Sequence, residues 1–390
     1  MLPNPIAVRR RERQQQLGAD ALRFRELLAK VASGERTSTG LNRAEADEIL
    51  TRLLQGLASP AQAGAFLIAH RLRRPQACEL AGMADAYQRL GPTLPPNRRT
   101  TVSFGVPFDG RSRTAPLLPL TALVLNAAGL AVVLHGADPM PVKYGITQAE
   151  LLDAMGLPLA QLNWRAMGRL FAEQGLALMH QPSHFPLADG LIELREQIGK
   201  RPPIATLELL WSCCSGNHLQ VSGFVHAPTE LLMAETWALL GQDNGLTIKG
   251  LEGGVDLPTS RVSIAAHWQH PNAGDAFDPQ PQRLVLHARD HDLRADEPEL
   301  TTLEAWSAMA RDALDGTGPL VKPLIWNAGF LLWRCQQHPN LEAALETAER
   351  LLCSGSVQER RQELAAKLAG GSATPSGSAG STHHPQPEEA

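Results

Sequence analysis

The chain has 390 residues, 43% hydrophobic and 19% charged, and carries a formal net charge of −4. That length can bury a sizeable core and points to two domains. The acidic balance excludes a protein that coats nucleic acid through its overall charge, though not one with a local basic patch. No apolar run approaches the roughly 20 residues that span a bilayer, and the first residues hold no apolar signal region, so a cytoplasmic protein with no membrane partner is expected.

Residues 1–20 carry Arg9, Arg10, Arg11 and Arg13 with little to bury, and read as a flexible basic arm. A helical pattern follows. Phe24, Leu27, Leu28 and Val31 share one face, Asn42 with Glu45 makes a capping box, and Ser59-Pro60 starts a third helix. Pro75 opens a fourth. Residues 21–95 therefore form a small helical domain, to which later helices can contribute. The stretch PTLPPNRR is a hinge into a large α/β domain over 96–369.

Thr100 to Phe104 is β-branched and short, as a buried strand is. A Gly- and Arg-rich loop follows, then an apolar helix from Pro116 to Ala128 and a continuous apolar strand from Ala131 to His135. Thr147 and Glu150 cap the next helix, which stops at Gly156. This βαβα order puts both loops at the carboxyl ends of strands, where ligands bind in open α/β sheets. Further along, ALMHQPSHFP is β-like and IATLELLWSCC fits helix or strand. HLQVSGFVHAP and GLTIK read as strands, RVSIAAHW and QRLVLHARD as strands open to antiparallel pairing, and the pattern is helical again from Leu303. Pro182 between His180 and His184 argues against helical spacing for that pair. Residues 370–390 cannot bury apolar area and read as a disordered tail.

The order of these elements resembles the anthranilate phosphoribosyltransferase family (glycosyltransferase family 3-like) over about residues 22–368. The resemblance rests on SPAQAGAFLIAHR, the strand with its glycine loop, AAGLAVVLHG, HFP followed by LREQIGKR, GLEGGVDLP and the Ser354-Gly355 turn. It implies a small N-terminal helical domain, a large α/β domain with a mostly parallel central sheet, and a homodimer formed through the helical domain. The apolar helices near Leu53 and Phe66 suit such pairing. The family's GTGGD loop falls on Gly105 to Asp109, with Pro107 and Phe108 in place of the two inner glycines. Pro107 also removes a backbone donor from an anion cradle.

The family's NIST-like turn falls on Pro116 to Pro119, and its KHGNRS element on Leu134 to Pro139, which keeps His135 and Gly136 but loses the lysine. The acidic pair that would hold magnesium falls on Asp256 and Leu257, so Asp256 is left as the sole candidate ligand. His184, Arg195 and Arg201 fall on acceptor-side positions. Around the altered loop Gly110, Arg111, Ser112, Arg113, Thr114 and Lys143 join Gly105 and Asp109 as candidate contacts for a phosphorylated or anionic small molecule, since forked arginine donors suit phosphate. Bland roles stand beside these: Asp109 accepting from its own loop's amides, His135 as a satisfied core histidine, Asp256 as a loop cap, and Trp211, Trp237, Trp268 and Trp326 in the core.

Two functions follow. One is glycosyl or phosphoribosyl transfer with an altered donor or acceptor site, in which efficient anthranilate transfer is not expected. The other is a non-catalytic nucleic-acid-binding paralogue that uses Arg71, Arg73, Arg74, Arg98, Arg99, Arg111, Arg113, Lys200 and Arg201.

Overall fold

The computed structural model describes residues 17–34, 36–269 and 281–371, so the expected arm and tail lie almost wholly outside the described residues. Four helices, Ala19–Ala32, Arg43–Leu54, Pro60–Arg73 and Ala77–Leu90, form the first part. Their starts follow the sequence signals. Asn42 with Glu45 and Ser59 with Gln62 close reciprocal capping boxes, and Pro60 occupies a first-turn position whose N–H would have no partner. Phe24 and Phe66 meet edge-to-face at 6.1 Å in the interior. Leu53 and Phe66 are both buried within their own chain, while Leu57 and Leu72 nearby are exposed.

Seven strands form a sheet in the order β3-β2-β1-β4-β5-β6-β7: β1 (Thr101–Gly105), β2 (Ala131–Gly136), β3 (Leu176–His180), β4 (Leu219–Gly223), β5 (Asn244–Ile248), β6 (Ser263–Gln269) and β7 (Gln282–Leu286). The first five are parallel and β6 and β7 antiparallel. The central strands are apolar because both faces are covered. On one side lies the helix Leu118–Ala127, buried along almost its whole length, with Val321–Arg334 and Ser356–Gly371 packed against it. The four expected core tryptophans are all buried.

One segment differs from the sequence reading, and another resolves a choice it left open. The β-like run ends at His180, and Gln181–His184 is a short helix. Pro182 falls in its first turn, where the missing N–H has no consequence, so it does not interrupt the His180–His184 spacing. The ambiguous IATLELL stretch is the helix Ile204–Leu210, with Ile204, Leu207 and Leu210 on its buried side.

Strand order reverses at β1: the chain moves outward through β2 and β3, then returns to the other side with β4 and β5. The carboxyl ends of β1 and β4 therefore flank a topological switch point, which leaves a crevice where neighbouring connections diverge. Gly105 ends β1 there. A Cβ on it would lie 1.9 Å from the carbonyl oxygen of Leu209, so only glycine lets the helix Ile204–Leu210 close over the strand. Gly105→Ala should lower the unfolding free energy by about 2 to 3 kcal/mol, read as a shifted urea midpoint at unchanged slope.

Candidate functional site

The crevice is a cleft of about 350 Å³. Pro107, Phe108 and Asp109 come from the loop after β1, Phe224 to His226 from the loop after β4, and Glu252 and Gly253 from the loop after β5. Arg71 and Pro75 reach it from the helical part. Phe108 is almost fully buried, so a ring fills the part of the β1 loop where two glycines would leave room for a ligand. Pro107 lies beside it without a backbone donor.

Three arginines in and beside the cleft, Arg111, Arg195 and Arg201, are paired internally. Arg111 is buried between two carboxylates: Nη1 donates to Asp256 Oδ2 at 2.9 Å and Nε to Glu252 Oε1 at 3.2 Å, while Nη2 bonds Thr114. Glu252 also accepts from the amides of Ser112, Arg113 and Thr114 at 3.3, 3.0 and 2.9 Å, and from Lys143 Nζ at 2.8 Å. Burial raises the pKa of its carboxyl group, but Lys143, the Thr114 amide and Arg111 outweigh that and hold it well below the usual carboxylate range. Arg195, also buried, places Nη1 3.2 Å from both carboxylate oxygens of Glu208. Burial raises the Glu208 pKa despite Arg195. Arg201 Nε lies 2.6 Å from Asp109 Oδ2. Asp109 is therefore an ion-pair partner, not the acceptor for its own loop's amides that the sequence suggested.

Several expected site residues lie elsewhere. His184 is buried, accepting from the His180 amide at Nδ1 (3.0 Å) and bonding the Leu162 carbonyl through Nε2 (2.7 Å). A carbonyl only accepts, so Nε2 carries the proton and neither nitrogen is left for a ligand. His135 donates from Nδ1 to Phe104 O at 3.1 Å and accepts from the Cys213 amide at 3.3 Å. Burial holds its pKa down to about 4, as suits a neutral core histidine. Gly136 ends β2 against Gln148, and Gly110 has a left-handed φ of 79° and accepts from Lys143 at 3.0 Å. Ser112 and Arg113 are exposed and Thr114 is half-buried.

The magnesium ligand set does not fit this chain. Asp256 Oδ2 is taken by Arg111 and by the Leu117 amide at 3.1 Å, and Leu257 supplies no oxygen ligand. The Arg111 guanidinium itself stands between the Asp256 and Glu252 carboxylates as their cation. Glu208 and Glu252 are the functional residues the sequence reading missed. Glu208 had a signal: a lone acid in the apolar run IATLELL needs a buried partner. Glu252, between glycines in GLEGG, had none.

Residues 25–91 match the helical bundle domain of the glycosyl transferase family, and residues 116–358 match its a/b domain. The chain belongs to this glycosyl transferase family. An anthranilate phosphoribosyltransferase of Chromobacterium violaceum is 26% identical over 332 residues, 83% of this chain and 93% of that enzyme. That of Rubrobacter xylanophilus is 26% identical over 353 residues, 89% of this chain and 99% of that enzyme. The solved anthranilate phosphoribosyltransferase from Thermus thermophilus gives a TM-score of 0.69 at 23% identity, over 89% of this chain and 99% of that one. The Saccharomyces cerevisiae enzyme, in complex with PRPP and Mg, gives 0.72 at 14%, over 89% of this chain and 98% of that one. At such identities these two structures share the fold.

Within this glycosyl transferase fold the nine basic residues named from the sequence do not form one groove. Arg99 donates to Gln174 O at 2.7 Å, just before β3 begins, and so sits at the amino ends of the strands. Arg73 is paired with Glu79 and Arg111 is buried. Arg71, Arg74, Arg113, Lys200 and Arg201 are exposed, and Arg71 and Arg201 line the cleft mouth.

Removing the shared cation of the buried cluster leaves two carboxylates without it. Arg111→Met should destabilise the fold by about 3 to 5 kcal/mol, measured by denaturant unfolding.

Proposed function

We propose that this glycosyl transferase family member is a phosphate-ligand-binding protein without efficient anthranilate phosphoribosyl transfer, and that its ligand is a single-stranded nucleic acid held across the basic rim of the cleft. One observation carries the reading. Arg111, Arg195 and Arg201, which would serve a bound small anion, are paired with Glu252 and Asp256, Glu208 and Asp109. Among the described residues, Arg71, Arg74 and Lys200 have no carboxylate within 4.0 Å. Arg71 lines the cleft with its Nη1 on the Arg201 carbonyl, Arg74 and Lys200 are exposed, and cations without a carboxylate partner suit a polyanion that passes over the surface. Tyr144, exposed beside Lys143 with its hydroxyl bonded to Glu196, offers a ring on which a base can stack. The overall charge of −4 makes the attraction local to this rim.

A second reading, glycosyl transfer with an altered donor, is favoured by the cleft itself, whose volume of about 350 Å³ lies in the range of small-molecule sites. We place the functional unit as a homodimer, with exposed Leu57 and Leu72 as apolar area for pairing on the helical part.

The test is fluorescence anisotropy of a labelled single-stranded oligonucleotide at rising salt. Three or four neutralised phosphates give a log–log slope of roughly −2 to −3, and an Arg71→Ala, Lys200→Ala double variant should flatten it by about 1.4. Absence of binding at low salt, or binding indifferent to salt, would overturn the nucleic-acid reading. Turnover of phosphoribosyl pyrophosphate with anthranilate at about 1 per second or faster would restore the enzyme.

A further inference from the structure

Glu252 makes more contacts than its carboxylate can use well. The amides of Ser112, Arg113 and Thr114, the hydroxyls of Ser112 (3.5 Å) and Thr114 (3.2 Å), Lys143 Nζ and Arg111 Nε all face its two oxygens. A carboxylate offers about four lone-pair positions to these seven donors. Three successive backbone N–H groups with a lysine beside them form a concave anion-binding nest, of the kind that takes phosphate elsewhere. A phosphate group, with three or more oxygens and up to two charges, matches this donor set better than a carboxylate does.

The residue that fills the nest is held in an unfavourable backbone. Glu252 has φ 54° and ψ 23°, a left-handed conformation that side-chain-bearing residues seldom adopt. Gly253 and Gly254 follow, so the turn that presents the carboxylate adjoins two residues free to change φ and ψ. Glu252 is among the residues that line the cleft, and its side chain, only 3% exposed, turns inward onto the nest. Arg111 would not lose its charge balance if Glu252 left, because Asp256 stays on Nη1 at 2.9 Å and an arriving phosphate would replace the second anion.

We infer that the Ser112–Thr114 amides with Lys143 form an oxyanion site for a phosphate monoester or pyrophosphate group, and that Glu252 occupies this site as an internal plug in the ligand-free protein. The inference rests on the reading that the cleft receives phosphate, and it adds where the phosphate seats and what must move first.

Calorimetric titration with inorganic phosphate and with pyrophosphate tests it on the full-length wild type, Glu252→Ala, and Glu252→Ala combined with Lys143→Ala. The site predicts weak or absent binding to the wild type, a gain of at least tenfold in affinity in Glu252→Ala, and loss of that gain when Lys143 is also removed. Equal binding by wild type and Glu252→Ala, or a gain that survives loss of Lys143, overturns it. Circular dichroism and the thermal midpoint establish that the variants are folded. Should Glu252→Ala not fold, Glu252→Gln keeps the side-chain volume without the charge: stronger phosphate binding than wild type then supports the plug, and unchanged binding overturns it. Oligonucleotides with and without a 5′-phosphate separate a terminal nucleotide phosphate from a free one. If both bind Glu252→Ala equally while inorganic phosphate binds the nest, the source is a free phosphate. Failure of all oligonucleotide binding with the phosphate gain intact would remove the nucleic-acid reading and leave the nest standing.

Discussion

A guanidinium enclosed with two carboxylates holds the loops after β1 and β5 together. Arg111, Glu252 and Asp256 have side chains that are each almost fully buried, and burying any one alone would be strongly unfavourable. The three are tolerated because the charges meet at hydrogen-bonding distance and the surrounding amides bond the spare oxygens. The consequence reaches beyond stability. Residues that would meet a substrate's anions at the carboxyl ends of these strands are committed to one another. Arg195 with Glu208 and Arg201 with Asp109 repeat the pattern in the same cleft.

Under the proposed reading, this pattern lets the chain keep a transferase fold with altered binding elements. The strand order, the switch point beside β1 and the approach of the helix Ile204–Leu210 to Gly105 are constraints of backbone packing, indifferent to what the cleft holds. The chemistry resides in side chains on three loops and can be rewritten while the scaffold persists. Here Phe108 fills space, Pro107 removes a donor, and Glu208, Glu252 and Asp109 stand where the anionic groups of ligands would be expected. The anthranilate phosphoribosyltransferase relatives inform the architecture of this chain.

The sequence made much of the fold legible, for physical reasons. Capping boxes at Asn42 and Thr147 act over three or four residues, and a buried parallel strand such as Ala131–Gly136 must be apolar on both faces. Local rules suffice for such elements. They failed where a contact spans the chain: Arg111 and Glu252 are 141 residues apart, and neither neighbourhood announces the other. The same holds for Arg201 with Asp109 and for His184, whose ring is bonded to backbone groups. Glu208 was within reach, since an acid in an apolar helix demands a partner, but the identity of that partner required the fold.

Arg111, Arg195 and Arg201, in and beside the cleft, are already satisfied by the chain's own carboxylates. Calorimetric titration of phosphoribosyl pyrophosphate with magnesium into the wild-type protein tests this most directly, because binding is read apart from any chemical step. Internal pairing predicts no saturable heat up to about 1 mM ligand, corresponding to a binding free energy weaker than about −4 kcal/mol. A saturable isotherm with a dissociation constant in the micromolar range would contradict it, because the internal ion pairs would then have to open readily for the sugar pyrophosphate.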